Sequence, residues 1–496
     1  MTRPKALLTD RLYINEAYVT DAMLAEYETP LLIGIDAYTK EPLYSSIAHY
    51  ERIPINRDES MLAFNRGDLD KLGRVFADFE ISDQRLSVSM QSPLKIKFPK
   101  GKTWKEYQPD AVMAMSEREF GILESPPRSG KTLVMAATIC MNQQKTIVFA
   151  HQTDLLLQLL DTFEEFTNLS EIRTPGNPIV GFAETWEDFE TLDVVLCTKQ
   201  TFDNVVNRHK ALHVQKLFGA VYVDEVHFLG ADVYSRLVNR FHARIKQGVT
   251  ATPKRKDNLH VIIDGILGGV VHKITREQVG QLPLKVTTIG TEVILKRDTS
   301  YVQALSQLSQ HEGRNKLILD WMERDVKDGH IIVAVTDRKP QGLYLKQQLS
   351  ERGIIAEVFN GTVSDRQRRK KILNGIRSKK TKVLISMRGM TTGLDIPAAD
   401  CFYNLLPSAN SVKEEGEYEG GGGYEQQCTR VLTPYPGKTY GLVRDFLDPI
   451  PLGYACLACR KRTYDKMRAE IIPYYSEQEK VKKELDIGTA TDSLTL

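Results

Sequence analysis

Residues 120–141 read FGILESPPRSGKTLVMAATICM, an apolar run followed by a short turn sequence and then a helical pattern of apolar residues. This order predicts a β-strand, a tight loop and a helix that starts near Lys131. The N–H groups of such a loop and of the helix N-terminus together form a cradle for phosphate. The stretch therefore predicts an α/β protein whose nucleotide-binding loop lies at the end of a strand.

The loop differs from the common pattern G-x-x-x-x-G-K-[ST] only at its first position, where Ser125 replaces glycine. Serine is small enough to preserve the turn. We expect Lys131 to reach the β- and γ-phosphates of ATP and the Thr132 hydroxyl to bind Mg²⁺. The other ATP-binding candidates of the loop are Ser125, Arg128, Ser129 and Gly130. A surface loop that matches the pattern by accident is the alternative.

Two adjacent carboxylates, Asp224 and Glu225, follow the apolar run at residues 220–223. A buried parallel strand has this appearance when its carboxyl end opens into a site. Asp224 is expected to hold Mg²⁺, and Glu225 is expected to orient and deprotonate the attacking water. Adjacent acids at a strand end otherwise belong to a solvated turn, but the phosphate loop upstream favours a hydrolytic site.

The sequence Asp224-Glu225-Val226-His227 resembles the D-E-x-H box of superfamily-two helicases and translocases. Other segments resemble further motifs of this family in the family's order: 107–108 the Q motif, 147–153 motif Ia, 196–201 the strand-end threonine motif, 248–257 motif III, 383–397 motif V and 424–430 motif VI. The form of motif III is similar to that of phage UvsW-like DNA translocases. The resemblance covers residues 105–450 and implies an ATP-driven enzyme that moves on nucleic acid.

The resemblance also implies roles for single residues. Gln108 would read the edge of adenine, and Gly393 and Asp395 of motif V would join the ATP site. In motif VI, Gln426 and Arg430 would be catalytic, beside Lys131, Asp224 and Glu225. Residues that couple hydrolysis to movement would be His227, Thr250 and Thr252, and nucleic-acid contacts would come from His151, Gln152, Thr198, Lys199 and Arg255.

Motif VI departs from its usual form Q-x-x-G-R-x-x-R. Thr429 replaces the glycine and Thr433 replaces the last arginine, so that Arg430 is the arginine that remains of the usual two. An arginine finger contributes about 10³ to 10⁵ in rate. Either Arg430 suffices, or another arginine such as Arg444 substitutes, or turnover is slow.

Composition limits the class of protein. A chain of 496 residues with 42% hydrophobic and 26% charged residues suits two or three globular domains. Neither an apolar N-terminal segment nor a run of about eighteen apolar residues occurs, so the sequence gives no support for secretion or membrane spanning. Six cysteines favour a reducing compartment over a disulfide scaffold. We expect a cytoplasmic protein, in a bacterial host if a phage encodes it.

Two local patterns allow two interpretations each. Cys456 and Cys459 have C-x-x-C spacing, but no second ligand pair follows. The favoured interpretation is that the two cysteines face the core from a helix over residues 452–467.

The net charge of +2 does not indicate nucleic-acid binding, whereas residues 365–382 are densely basic. On a helix capped by Ser364, these side chains either form a solvated face or contact phosphate, with Arg366, Arg369 and Lys370 as the candidates.

Apolar strands alternate with helical patterns twice along the chain, on either side of a loosely patterned stretch at 283–310. This predicts an α/β fold of two similar parallel-sheet halves with a small α+β domain before them. The resemblance implies that the two halves are tandem RecA-like domains. We expect an N-terminal accessory domain at 1–100, RecA-like domains at 101–285 and 286–460, and a C-terminal helix and tail at 461–496. ATP would lie between the two RecA-like domains, and the glycine-rich segment before motif VI would be a mobile hinge.

The sequence therefore predicts an ATP- and Mg²⁺-dependent DNA helicase or translocase, a monomeric motor that acts on branched or duplex DNA without a membrane partner. The resemblance to UvsW-like enzymes suggests replication or recombination, and a role of the N-terminal domain in duplex binding. Alternatives are a nucleotide-gated DNA clamp with slow hydrolysis, the motor subunit of a restriction complex and an RNA helicase.

Overall fold

The computed structural model describes residues 3–35, 42–126, 128–174, 178–209, 213–230, 232–251, 260–295, 299–359, 366–387, 396–407 and 424–472. The chain forms two compact units, Met1–Val279 and Gly280–Leu496. The first unit contains an N-terminal domain and an α/β domain, and the second unit contains another α/β domain. The domain limits drawn from the sequence stay predictions.

The N-terminal domain is a small mixed sheet with two helices. Its elements are β1 (Lys5–Leu8), β2 (Leu12–Asn15), α1 (Asp21–Glu26), β3 (Glu28–Ile35), β4 (Pro42–Ala48), β5 (Tyr50–Pro54), β6 (Ser60–Phe64), α2 (Leu69–Val75) and β7 (Glu80–Asp83). Five strands form a sheet in the order β5-β6-β2-β1-β7, and β3 and β4 form a separate hairpin. Helix α2 begins where the Asp68 side chain accepts a hydrogen bond from Lys71 N at 2.9 Å, the usual device of a helix N-cap.

This N-terminal domain packs tightly on the α/β domain of the same unit. The buried Arg66 guanidinium donates to the carbonyl oxygens of Phe241 at 3.0 Å and Ala243 at 2.6 Å. At the next residue, a Cβ atom added to Gly67 would lie 2.5 Å from the backbone oxygen of Asp264. Because two backbones approach this closely, no larger residue fits at position 67 without a shift of main chain.

A connecting segment then crosses the α/β domain. Isolated β-bridges pair Leu86 with Ala243, Ser89 with Gln144 and Ile96 with Thr167. Backbone pairing at these three points fastens the connecting segment to the domain.

The first α/β domain has a parallel sheet with helices on both faces. Its elements are α3 (Gln108–Ser116), β8 (Phe120–Glu124), α4 (Lys131–Asn142), β9 (Thr146–Ala150), α5 (Thr153–Phe166), α6 (Leu169–Ile172), β10 (Val180–Phe182), α7 (Trp186–Thr191), β11 (Val194–Thr198), α8 (Lys199–His209), β12 (Ala220–Asp224), α9 (Asp232–Asn239), β13 (Ile245–Thr250), α10 (His260–Leu267), β14 (Val270–Lys273) and α11 (Arg276–Val279). The seven strands lie in the order β10-β11-β9-β12-β13-β8-β14. This order places β8, β12 and β13 side by side or one strand apart, so the loops that follow them meet at one edge.

The second α/β domain repeats this architecture. Its elements are β15 (Leu284–Gly290), α12 (Tyr301–Gln310), α13 (Glu312–Lys327), β16 (Ile332–Thr336), α14 (Lys339–Glu351), β17 (Ala356–Phe359), α15 (Arg366–Arg377), β18 (Val383–Met387), β19 (Cys401–Asn404), α16 (Tyr424–Thr429), β20 (Gly441–Leu447), α17 (Pro451–Lys466) and β21 (Glu470–Ile472). Its seven strands lie in the order β17-β18-β16-β19-β20-β15-β21. The two parallel sheets and the mixed N-terminal sheet confirm the predicted fold class.

Cys456 and Cys459 both lie on α17, where Cys456 is buried and Cys459 is half-buried. The other cysteines, at positions 140, 197, 401 and 428, are buried as well, and none of the six forms a disulfide. Within the described ranges, no three His, Cys, Asp or Glu side chains group as a metal site requires. The described helices include none with the length and apolar character of a membrane span.

Candidate active site

The predicted phosphate loop connects β8 to α4, and its conformation explains the residue types. Gly130 has a φ of +83°, which a residue with a Cβ adopts only with strain. The hydroxyl groups of Ser125 and Ser129 are hydrogen-bonded to each other, and both side chains are buried. Ser125 therefore closes the loop through a side-chain bond at the position where glycine is usual. Thr132 follows Lys131 in the first turn of α4.

The two predicted carboxylates lie at the end of β12, and Lys131 faces both of them. Lys131 Nζ is hydrogen-bonded to Glu225 Oε1 and lies 3.5 Å from Asp224 Oδ1. Asp224 and Glu225 are 4% and 5% exposed, so this is a buried triad of one cation and two anions.

The charges of the triad shift the pKa values in opposite directions. Burial alone would lower the pKa of Lys131, but the two carboxylates outweigh burial and raise it. Burial raises the pKa of Asp224 against the opposing effect of Lys131. At Glu225, the attraction of Lys131 and the hydrogen bond with His227 overcome burial and lower the pKa. Glu225 is therefore the carboxylate that is more firmly ionised.

The predicted coupling residues surround Glu225. Thr250 Oγ1 at the end of β13 and His227 Nδ1 each lie 3.4 Å from Glu225 Oε2. His227 Nδ1 is also 3.4 Å from Thr250 Oγ1. Burial, followed by the charge of His227, lowers the pKa of His151 to about 4. The structure thus brings His151, a predicted nucleic-acid contact, to the neighbourhood of the hydrolytic carboxylates.

The arrangement fits a magnesium–nucleotide complex. Asp224 Oδ1 is buried, and although Lys131 Nζ lies 3.5 Å away, no hydrogen bond to this oxygen forms among the described residues. An oxygen in this state is costly unless a cation or donor completes its surroundings. Carboxylate and hydroxyl oxygens are the ligands that Mg²⁺ prefers, and Asp224 with Thr132 supplies that donor set.

Gln108 and its neighbour Tyr107 contact the phosphate loop directly. Gln108 Nε2 and the Tyr107 hydroxyl both donate to the carbonyl oxygen of Ser129 at 3.0 Å. The sequence placed Tyr107 and Gln108 in one motif but assigned a role only to Gln108. The Tyr107 hydroxyl reaches a loop carbonyl only in the folded chain.

Several predicted nucleic-acid contacts have partners within the protein. Thr198 Oγ1 accepts a hydrogen bond from Thr201 N at 3.2 Å and so caps α8. Lys199 Nζ lies 2.7 Å from Asp203 Oδ2 one helical turn later. Gln152 lies at the N-cap of α5. The roles assigned to these residues stay predictions.

Some predicted residues lie outside the described residues. They are Thr252, Arg255, Gly393, Asp395, Ser364 and the glycine-rich segment before Tyr424, together with the side chains of Arg366, Arg369, Lys370 and Gln426.

The two arginines considered for the finger have different surroundings. Arg430 follows α16 in a short 3₁₀ turn, Arg430–Leu432, and is 9% exposed. Arg444 on β20 donates to both carboxylate oxygens of Asp325, at 2.9 and 2.6 Å, and to Thr287 Oγ1 at 2.7 Å. Since its guanidinium is held in a buried pair within the second α/β domain, Arg444 has a structural role there.

Two family models and several curated proteins match parts of the chain. A family model described as the res subunit of type III restriction enzymes matches residues 101–255, and one described as the helicase conserved C-terminal domain matches residues 313–432. The DNA 3'-5' translocase XPB2 of Sulfurisphaera tokodaii is 27% identical over 223 residues, which are 44% of this chain and 45% of that protein. A protein of Escherichia phage T5, named as a probable helicase D10, is 25% identical over 60% of this chain and 62% of its own length. The chain thus spans about half the length of these relatives.

Solved structures agree on the fold. Dbp5 of S. cerevisiae bound to RNA and ADP BeF3 has a TM-score of 0.51 at 14% identity, over 78% of this chain and 94% of that chain. The type ISP restriction-modification enzyme LlaBIII bound to DNA has a TM-score of 0.54 at 16% identity, over 78% of this chain and 32% of that chain. The two family models match one α/β domain each, and together they show that the chain belongs to the superfamily-two helicases.

Proposed function

We propose that this protein is an ATP-dependent DNA helicase or translocase that remodels branched or duplex DNA. The buried triad of Lys131, Asp224 and Glu225, at the loop edge of a parallel sheet, is the observation that carries the proposal. It combines a phosphate-binding cation with the two acids that metal binding and water activation require.

The triad suggests why Glu225 would activate water only after ATP has bound. Lys131 neutralises Glu225 before ATP binds, and it would leave Glu225 to contact the β- and γ-phosphates. Glu225 Oε1 then becomes free to accept a hydrogen bond from the attacking water. Mg²⁺, held by Thr132 and Asp224, would neutralise charge on the phosphates. His227 and Thr250 contact the other carboxylate oxygen of Glu225. A change in the contacts of Glu225 would thus be transmitted to β13, which ends at Thr250.

DNA is the proposed track because several relatives are named for it. The Sulfurisphaera tokodaii relative is named as a DNA 3'-5' translocase, and a Haloarcula marismortui relative that is 26% identical over 154 residues carries a provisional name as a DNA 3'-5' helicase. A mimivirus relative, 21% identical over 75% of this chain, is provisionally named as an ATP-dependent RNA helicase, so RNA is the second candidate. The form of motif III, similar to UvsW-like enzymes, favours forks and junctions, and a cytoplasmic location follows from this proposal.

The first test is ATP turnover with and without forked DNA, in the wild type and in Glu225→Gln. Forked DNA should stimulate the wild type, and the substitution should lower kcat by about 10² to 10⁴, because a general base is lost. Glu351→Gln, an exposed acid at the end of α14, is the matched control and should retain full turnover. A wild-type rate that neither DNA nor Glu225→Gln changes would indicate a clamp rather than a motor.

The second measurement compares forks, four-way junctions, blunt duplex, single strands and RNA as stimulators and as unwinding substrates. The proposal expects branched DNA to give the highest rates. Equal stimulation by RNA would shift the proposal to an RNA helicase, and movement on blunt duplex without strand separation would favour the motor of a restriction complex.

A further inference from the structure

Helix α16, which contains most of motif VI, depends on its neighbours for its position. It is six residues long, Tyr424–Thr429, and an isolated helix this short is not stable in water. The 3₁₀ turn that begins with Arg430 follows it directly. The contacts that fix α16 in space therefore also fix the backbone from which the Arg430 side chain extends.

The buried side of α16 packs against the sheet of the second α/β domain. Tyr424 and Cys428, one helical turn apart, belong to a buried cluster that includes Phe402 of β19 and Val443 of β20. The rings of Tyr424 and Phe402 meet edge to face, with their centres 6.1 Å apart. Apolar packing holds the helix on the sheet, but it is non-directional and does not by itself select one position of the helix.

A polar link at the same place has a direction. The hydroxyl oxygens of Tyr424 and of Tyr464, on α17, lie 2.7 Å apart. The Tyr464 hydroxyl donates to Asp445 Oδ2 of β20 at 2.7 Å, and Arg460 Nε donates to the same oxygen at 2.9 Å. A phenol has one hydrogen to donate, so Tyr464, which directs its hydrogen at the carboxylate, accepts the hydrogen of Tyr424. The bonds thus run from α16 through α17 to β20.

The surroundings of this link keep it intact. All four side chains are at most 2% exposed. Burial raises the pKa of Tyr424 and of Tyr464, so both phenols stay protonated and able to donate. The Arg460 guanidinium forms an ion pair with Asp445 and balances its charge. Hydrogen bonds in such dry surroundings are strong, and a donor that loses its partner there is costly.

We propose that Tyr424 and Tyr464 are positioning residues for Arg430, because the hydrogen bond between their hydroxyl groups holds α16 in the position that ATP hydrolysis requires. The inference rests on the proposed function, since it concerns the arginine of the same reaction. Neither tyrosine contacts ATP in this proposal, and each acts through Arg430. A displacement of a catalytic group by about 1 Å lowers a rate by as much as about 10².

Removal of either hydroxyl is the first test. Tyr424→Phe and Tyr464→Phe keep the ring in the core and delete one oxygen each. We expect each variant to lower the kcat of DNA-stimulated ATP turnover by about tenfold and to change the KM for ATP by less than about twofold, because a transition-state contact is impaired and binding is not. An unchanged kcat in both variants overturns the inference. A wild-type enzyme that does not hydrolyse ATP overturns the proposed function itself, so the two failures are distinguishable.

The double variant shows whether the two hydroxyls act as one link. Deleting either oxygen breaks the same hydrogen bond, so Tyr424→Phe combined with Tyr464→Phe should lower kcat no further than Tyr464→Phe alone. Two losses that multiply to about a hundredfold would show that the hydroxyls act independently, which contradicts the proposal.

A second cycle shows whether the tyrosines act through Arg430. Arg430→Ala removes the guanidinium, and single-turnover experiments record the slow hydrolysis that remains. Adding Tyr424→Phe should change this residual rate by less than about twofold, because the group that Tyr424 positions is absent. The same tenfold loss with and without Arg430 would mean that Tyr424 supports the fold in general, and it would overturn the inference.

Two controls accompany these variants. Tyr454→Phe makes the same chemical change at an exposed position of α17 and should leave kcat and KM unchanged. All rates are compared at a temperature where melting curves show every variant to be folded. Should Tyr464→Phe not fold, Tyr424→Phe decides the question, since it leaves the bonds of Tyr464 and Arg460 to Asp445 in place.

Discussion

Glu225 has a φ of +57°, a left-handed backbone conformation at a residue with a Cβ. Such conformations cost free energy and persist where the surrounding structure enforces them, often at active sites. Here the turn directs the carboxylate back towards Lys131 and Thr250 instead of along the strand. A side chain at a strand end is thereby held at one point in space, which a water-activating group needs.

A second residue-scale feature is the pair of His330 and Asp400 at one end of the second sheet. His330 Nδ1 lies 3.1 Å from Asp400 Oδ2, and this hydrogen bond raises the pKa of His330 above its ordinary 6.5. The raised pKa stabilises the fold below pH ~6.5, and the contribution is lost as pH rises through the folded-state pKa. We expect His330→Gln to lower stability by about 1 kcal/mol near pH ~5.5 and by about zero near pH ~8.5.

Melting temperatures across this pH range measure the effect. Asp400→Asn should remove the same pH dependence, because it deletes the other partner. A difference between wild type and His330→Gln that stays constant with pH, or that grows towards alkaline pH, contradicts the assignment.

At the scale of elements, we expect two arginines to have different roles, one catalytic and one structural. Arg444 joins β20 to Asp325 on α13, whereas Arg430 follows α16 in motif VI. Lysine retains the charge of arginine but loses its planar, forked donors. We expect Arg444→Lys to lower the melting temperature with little change in kcat, and Arg430→Lys to lower kcat by at least about 10² with little change in melting temperature.

ATP turnover at low temperature and calorimetric melting of both variants test this pair. Full turnover in Arg430→Lys would show that another arginine acts on ATP. A large fall of kcat in Arg444→Lys at a temperature where the variant is folded would identify Arg444 as that residue.

The sequence predicted those elements whose residue types match their burial. Strand β9, predicted at Thr146–Ala150 and found there, is entirely apolar or β-branched and entirely buried. Strand β13 was predicted only from Gly248, because Lys246 and Gln247 are polar, yet both are fully buried in its first half. Their polar atoms bond to backbone carbonyls, Lys246 Nζ to Asn239 O at 2.8 Å and Gln247 Nε2 to Met115 O at 2.5 Å. Tertiary partners of this kind leave no local signal.

The same reasoning separates what was predicted of the site from what was not. The loop and the carboxylates each have a local sequence pattern, and the structure places both at one edge of the sheet. The contact of Tyr107 with Ser129 joins the residue before α3 to the loop after β8. The proximity of His151 to Glu225 joins the ends of β9 and β12, which the strand order makes neighbours. No spacing along the sequence encodes such contacts.

At the scale of the whole molecule, the N-terminal domain is fixed to the first α/β domain through close backbone contact at Gly67. Gly67→Ala would place a Cβ atom 2.5 Å from Asp264 O and 2.6 Å from Gly268 N. Because both neighbours are backbone atoms, we expect a loss of about 1–3 kcal/mol in stability and faster proteolysis of the N-terminal domain. Gly73→Ala is the matched control, since nothing lies within 4 Å of a Cβ at that exposed helical position.

The control should be neutral or more stable by about 0.5–1 kcal/mol, because alanine favours a helix over glycine. Limited proteolysis and thermal melting distinguish the two variants. Equal behaviour of Gly67→Ala and Gly73→Ala would show that the two domains are joined loosely.

The distribution of the six cysteines has a practical consequence for measuring motion. Five of them are buried, and burial raises the pKa of the Cys140 thiol to about 12, which suppresses the reactive thiolate. Cys459 on α17 is the half-buried one. A maleimide dye at limiting concentration should therefore attach to the natural chain mainly at this helix, and it would supply a fluorescent reporter of the second RecA-like domain without any engineered cysteine.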